Sequence, residues 1–506
     1  MVKLHEYQSK ALLRQAGINT PASRLATSAA EVREAALALG PVVIKAQVWT
    51  TSRAAQGLIR FASTPEQAEQ AASDLLGRKV EGFTVDQLLI EARVAVVREC
   101  YLGVILDDRL RAPVMIFSGV GGSGIEDIAR QHPDRVAHHA IDIQTGLRDY
   151  QARDLARSAG LESALLEQAA GVMLRFYAVV RGYEARSAEI NPLALTDGGE
   201  WVALDARITV DDYAVFRHPD LGIEMAREFD RPPTALEKIA WSVEKDDYRG
   251  TFYFIQMEMD FRKGDGVIGF HGTGGGGSMM NMDALTDAGL RIANFVDTSG
   301  NPPASKVYRA ARIILSQLGI DGYYAGGSGV ASQEQFHSAR GLVKAFMDAR
   351  LNIPAVIRIG GNGENEAITI LQEANGAFPA PVEAYGRDTA PEVCAARLRD
   401  LIEHYVPLDA VSPPERPEPA EPYRFDTVTG GTVTLDHTLC RDCESKICID
   451  TCAPHILSLN GDVPALNITQ EEARRGGCTE CLACEVACYF HGNRGGHVHL
   501  PIKGLD

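Results

Sequence analysis

Eight of the chain's ten cysteines lie between residues 440 and 488, and no other feature restricts its fold as tightly. They form two runs, Cys440-x2-Cys443-x4-Cys448-x3-Cys452 and Cys478-x2-Cys481-x2-Cys484-x3-Cys488. Thiols this crowded must share either disulfides or metal, and the choice depends on the compartment. The N-terminus, MVKLHEYQSKALLRQAG, is amphipathic and interrupted by charge, so it lacks the apolar stretch of a secretion signal. No segment approaches the roughly 18 apolar residues of a membrane span. A cytoplasmic location is expected, where thiols stay reduced and crowding points to metal. Cys100 and Cys394 stand alone in apolar-rich surroundings.

Thiolates at two- and three-residue intervals on a tight turn can take three corners of an iron–sulfur cubane. The fourth cysteine of each run lies a helical turn away, where it reaches the other cluster. The spacing therefore assigns Cys440, Cys443, Cys448 and Cys488 to one [4Fe-4S] cluster, and Cys452, Cys478, Cys481 and Cys484 to a second. A pair of zinc sites is the competing reading, since C-x2-C also occurs in zinc ribbons. Zinc ligand pairs usually stand further apart in sequence, and the second run crowds too many thiolates for one tetrahedron.

At 506 residues the chain should divide into three or four domains. A formal charge of −17, with no local arginine or lysine cluster, argues against a nucleic-acid partner. Apolar runs such as PVVIKAQV (41–48) and QLLIEARV (87–94) alternate with helical stretches such as 28–40, which is α/β wiring. The charged passage REFDRPPTALEK (227–238) reads as a linker. A second series follows, in which strand-like runs end in glycine or small polar residues: DGVIGFHGTGGGG, GLRIANFVD, GIDGYYAGGSG and IPAVIRIGG. That pattern predicts a parallel sheet binding ligands at the C-terminal ends of its strands. Gly326, Gly327, Ser328 and Gly329 follow one such strand and are expected to open a helix near Val330, with free N–H groups facing an anion. Five prolines from Pro413 to Pro422 make VSPPERPEPAEPYR a stiff spacer that tethers the cysteine module. The resulting boundaries are 1–226, 240–406, a Pro/Glu-rich linker at 407–425, and 426–506.

Over the last seventy or so residues, CRDCESKICIDTCAP, GCTECLACEVAC and NRGGHV resemble bacterial two-cluster ferredoxins, more closely the FixX-type ferredoxin-like proteins. The resemblance implies a small α+β domain and a flavoprotein electron partner. Two departures are visible: four residues rather than two separate Cys443 from Cys448, and Pro454 stands two places after Cys452.

From Met1 to about Val406, LHEYQSKALLRQAGI, VVIKAQV, LIEARVAVVRECYLG, AEINPLAL, WVALDAR, ANFVDTSGN and RIGGNGENEA appear in the order of the β subunit of succinyl-CoA synthetase and resemble it. The resemblance implies an ATP-grasp nucleotide domain followed by a flavodoxin-like CoA-ligase domain, hence an α/β multidomain protein. It places Lys45, Arg53, Glu91 and Glu99 around a nucleotide and Asn191 and Asp205 on its Mg²⁺, a hard cation suited to oxygen ligands. It sets Glu189 facing the transferred phosphate. His271, in His271-Gly272-Thr273-Gly274, stands where the family has an asparagine in its substrate loop, and the Gly326–Gly329 segment helps hold a substrate carboxylate. The family's phosphohistidine and main CoA site belong to an α subunit, and no G-H-A-G-A segment occurs here. The expectation is an ADP-forming carboxylate–CoA ligase β subunit joined to an electron-transfer module. The alternative is an iron–sulfur electron-transfer subunit of a CoA-linked complex with a weakened or inactive ATP site. In the loop 49–57 the family's glycines are largely lost, and an alanine stands where its lysine would be.

Overall fold

The computed structural model describes residues 1–50, 53–121, 130, 133–227, 231–247, 252–406 and 418–505. The chain forms two compact units, Met1–Pro232 and Pro233–Asp506.

In the first unit the expected alternation of strands and helices is present, and both main sheets pair their named strands antiparallel. A four-stranded sheet, Ser23–Ala26, Leu88–Ala92, Val42–Ala46 and Ile59–Ala62 in spatial order, carries helices Ala29–Leu39 and Pro65–Leu75. Ser28 and Glu31 cap the first helix reciprocally, and Thr64 with Pro65 starts the second. Side chains alternate across a strand, so Val42, Ile44 and Ala46 enter the helix-covered core while Lys45 takes the opposite face. Glu91, paired with Val43 on the neighbouring strand, shares that face.

The second sheet of this unit orders Val2–Lys3, Ala206–Val210, Ala185–Thr196, Val96–Asp107, Ala112–Ser118 and Val136–Ala140, with Trp201–Ala203 beside Ala185–Thr196. Helix Ser163–Gly182 packs on it through Leu166, Met173, Phe176 and Val180. By length and composition alone this helix could cross a membrane, but half of its apolar window is buried, as in a core helix.

The second unit contains a sheet whose strands Asn294–Asp297, Val267–Thr273, Gly322–Gly327, Ala355–Arg358 and Val382–Tyr385 run parallel in that spatial order, with Tyr253–Gln256 antiparallel at the edge. In chain order this is 2-1-3-4-5, the doubly wound flavodoxin-like arrangement. Helices Gly275–Asp287 and Pro391–His404 cover one face, and Ala304–Leu315, Phe336–Ala349 and Glu364–Ala374 the other. Tyr324 enters the first core, while Tyr323 and Ala325 enter the second.

Residues 422–505 form a three-stranded antiparallel sheet, Pro422–Asp426, Thr432–Asp436 and Gly496–His499, a hairpin Leu457–Asn460/Val463–Leu466, and short helices ending with Ala483–His491. The spacer residues 407–417 lie outside the described residues, and strand Pro422–Asp426 takes up the last of the stretch assigned to it. Tethering describes the arrangement incompletely. Phe425, Val433, Val486 and Leu500 join one continuous apolar cluster with the helices of the parallel sheet. Buried Lys344 reaches Glu485 at 3.0 Å, and Arg309 donates to the Pro501 carbonyl at 3.2 Å.

Candidate functional site

Lys45 is buried in a polar cluster that closes on itself. Its ammonium lies 2.7 Å from Glu6 and 2.8 Å from Glu91, and donates to the Leu204 carbonyl at 2.5 Å. Lys10 repeats the pattern, 2.8 Å from Glu6 and 2.6 Å from Glu91. Arg53 bridges Glu6 at 2.7 Å and Asp205 at 2.8 Å. Three cations thus balance three carboxylates. Burial alone would lower the Lys45 pKa, but Glu6, Glu91 and Asp205 hold it above the usual range. Burial alone would raise the Glu6 pKa, yet Lys45, Lys10 and Arg53 hold it well below. Burial and neighbouring Arg53 push His5 down to about 4, and its ring stacks on Trp49 at 4.7 Å. A cavity enclosing about 500 Å³ adjoins the cluster, lined by Glu6, Gln47, Trp49, Arg53, Asp205 and Arg207 among others. Thr51 and Ser52 of the adjoining loop lie outside the described residues.

The structure therefore brings Lys45, Arg53, Glu91 and Asp205 together. Asn191 joins them through the backbone, its N–H donating to the Asp205 carbonyl at 3.2 Å. Glu189 and Asn191 alternate with buried Ala188 and Ile190, so they share one face of their strand. Tyr101 donates to Glu189 at 3.4 Å, whereas Glu99, two residues before Tyr101, is exposed on the neighbouring strand. Sequence reasoning missed Glu6 and Lys10. The signal was available: they stand at i and i+4 with Leu13 at i+7, one helix face whose other members are core.

In the second unit the ends of strands Val267–Thr273 and Gly322–Gly327 lie side by side, and their chains leave toward helices on opposite faces of the sheet. This is the switch point at which such sheets take ligands. A cavity of about 390 Å³ there is lined by His271, Thr273, Gly326, Gly327, Gly329 and Ser338, among others. The expected helix start near Val330 is corrected, since the helix is Phe336–Ala349. Residues 328–335 are held as a loop, with Ala331 bridging Gly361 and Asn301 accepting from the Gln333 N–H at 2.9 Å. The helix that opens directly after a strand end is Gly275–Asp287, whose Gly277 packs so closely on Ser328 that a Cβ would overlap its backbone. His271 is buried, with Nδ1 2.6 Å from the Tyr323 hydroxyl, and burial pushes it down to about 3. It is a neutral imidazole under the pocket.

Neighbouring cysteines fall into two sets. Cys440 and Cys448 each interact electrostatically with Cys443 and Cys488, and Cys452, Cys478 and Cys484 each with Cys481. Cys452, Cys478, Cys481 and Cys484 line one pocket, walled by apolar groups including Phe425, Leu457 and Leu482. The Gly496 N–H donates to the Cys488 sulfur at 3.3 Å, while the His455 and Arg494 N–H groups donate to the carbonyls of Cys452 and Cys488. Lys446, His455, Glu480, Leu482 and Arg494 adopt positive φ, the conformation that turns successive N–H groups into an anion-facing nest. Among the described residues no three His, Cys, Asp or Glu side chains gather as a group able to hold a metal ion.

Comparison with known proteins follows the same division. The ATP-grasp domain family matches residues 3–195. The β subunit of a GDP-forming succinate–CoA ligase from Thermus thermophilus is 34% identical over 385 residues, covering 76% of this chain and 97% of that protein. The β subunit of an ADP-forming succinate–CoA ligase from Ignicoccus hospitalis is 35% identical over 377 residues, covering 74% and 94%. Among solved structures, ATP citrate lyase from Methanothrix soehngenii superimposes with a TM-score of 0.65 at 17% identity, covering 79% of this chain and 99% of that one, a likeness of fold. The mixed α/β multidomain architecture with its ATP-grasp fold is thereby shown.

Proposed function

Because the chain belongs to the succinate–CoA ligase β-subunit family, we propose that it is the β-type subunit of an ADP- or GDP-forming acid–thiol ligase, extended at its C-terminus by a module holding two [4Fe-4S] clusters. The observation that carries the ligase reading is identity of 34–35% along nearly the whole length of those relatives. The cavity lined by Cys452, Cys478, Cys481 and Cys484 supports the extension.

In this reading Lys45 and Arg53 hold the nucleotide phosphates, Asn191 and Asp205 hold Mg²⁺, which neutralises phosphate charge, and Glu189 faces the phosphate in transit. Glu91 and exposed Glu99 flank the nucleotide. The γ-phosphoryl group passes to a histidine of an α-type partner and then to the substrate carboxylate. CoA thiolate, held mainly by that partner, attacks the acyl phosphate and releases phosphate. Charge neutralisation and positioning are the chief contributions a protein makes to such transfers. The Gly326–Gly329 segment, of which Gly326, Gly327 and Gly329 line the switch-point pocket, helps hold the substrate carboxylate, and His271 supports the pocket floor through Tyr323. Clusters bound by the two cysteine quartets supply one-electron transfer, and a flavoprotein is the partner class this favours.

A specific observation favours the second reading, an electron-transfer subunit with a weakened nucleotide site. Lys45, Arg53 and Asp205 already satisfy one another through Glu6 and Glu91, so phosphate must displace carboxylates from the two cations. Labelled ATP separates the two readings. The chain alone should gain no acid-labile phosphate, and an added α-type subunit should become labelled on histidine. Failure of labelling in the assembled complex would favour the second reading, and labelling of the isolated chain would overturn the partner assignment.

A further inference from the structure

Within the second unit, helices Ala235–Lys245 and Ala304–Leu315 and the C-terminal stretch 500–505 contribute to one apolar cluster. Gly504 lies close enough to Ile239 that a Cβ there would approach it to 3.3 Å. A pocket opens between these elements, lined by Ser305, Lys306 and Arg309 of the second helix, by Asp246 and Asp247 after the first, and by Lys503, among others. It shares no lining residue with the nucleotide or switch-point pockets. Helix Ala304–Leu315 begins here, and its cap residue Pro303 supplies no side-chain acceptor. The first N–H groups of a helix find no partner inside it. Ser305, the second helical residue, is 2% exposed. Among the described residues neither its N–H nor its hydroxyl has a hydrogen-bond partner, and the hydroxyl oxygen stays open to the pocket. Buried donors in this condition are rare in folded proteins and call for an acceptor. Lys306 and Asp247 neutralise each other in a direct ion pair. Arg309 is engaged by the cysteine module, donating to the Pro501 carbonyl at 3.2 Å and lying 3.7 Å from Glu480. Lys503 and Asp246, both exposed, line the pocket from different elements.

We propose that this pocket is a binding site for a phosphate-type oxyanion. The site stands independently of the ligase and cluster readings. The Ser305 N–H and hydroxyl are the donors, set at the positive end of a helix whose backbone dipoles favour an anion. The Lys503 ammonium adds a charge-assisted contact. A cation would meet the same donors and the same dipole, and so be repelled. Asp246 opposes the anion from the rim, and its carboxylate weakens the site. Ser305 belongs to the parallel-sheet region and Lys503 to the cysteine module, so a bound oxyanion fastens one to the other.

The test is hydrogen exchange on the full-length protein, read by mass spectrometry while inorganic phosphate replaces chloride at constant ionic strength. Phosphate should slow exchange in peptides covering 303–308 and 501–505, the two sides of the pocket. Ser305→Ala removes one donor and should raise the phosphate midpoint for that protection about tenfold, the equivalent of one hydrogen bond to a charged group. Lys503→Gln, at an exposed position that folding does not depend on, should raise the midpoint as well, whereas Asp246→Asn should lower it. No protection of these two segments, midpoints in S305A and K503Q equal to the parent's, or weaker binding in D246N would each overturn the proposal.

Discussion

Glu6 makes three contacts with buried cations, and its consequences can be measured. Removing one partner of a buried charge network costs about 3–5 kcal/mol, because the remaining charges lose their compensation. Glu6→Gln should therefore lower the unfolding free energy of the first unit, read from a urea titration, by an amount in that range. The sign with pH follows from its depressed pKa. The stabilisation is fully present above the unfolded value of 4.5 and is lost as pH falls toward the folded one. Parent protein should lose stability on acidification below that point, and E6Q should lose less. Parallel acid dependence in the two would remove Glu6 from this role. Lys45, Arg53, Glu91 and Asp205 were legible as a group through their flanking motifs, whereas Glu6 and Lys10 resembled an ordinary surface pair at i,i+4. What separates the cases is the helix face, which becomes informative only when read together with Leu13.

At the level of elements, the parallel sheet was readable because each apolar run ends in glycine or a small residue where the chain turns toward a ligand. The start of helix Phe336–Ala349 was not readable. A glycine-rich exit suits a helix N-terminus equally well after either neighbouring strand, and the contact of Ala331 with Gly361 decides between them. Gly327 shows why small residues are needed at this junction. A Cβ there would lie 2.6 Å from the Thr273 carbonyl oxygen. Gly327→Ala should push the two strand ends apart, costing about 1–3 kcal/mol as overpacking does, and lower the melting temperature of the second unit. A melting temperature equal to the parent's would show that the strand ends yield freely.

Across the whole molecule, cysteine spacing leads to the expectation that the quartets exchange fourth ligands, drawn from local turns and one helical turn. It did not foretell which surface of the parallel-sheet region the module packs on. Lys344 carries no local sign that its partner Glu485 stands some 140 residues downstream. A spacer rich in proline and glutamate suggested separation, yet the apolar residues on both sides of it share one core. A ligase-like parallel sheet and a thiol-lined pocket thus share one unit, and the proposed function requires that the eight cysteines hold two cubanes. Iron and acid-labile sulfide in the anaerobically purified chain decide it. About eight of each per chain are expected, falling to about four when Cys484 is replaced by serine; stoichiometric zinc without sulfide would contradict the cubane assignment.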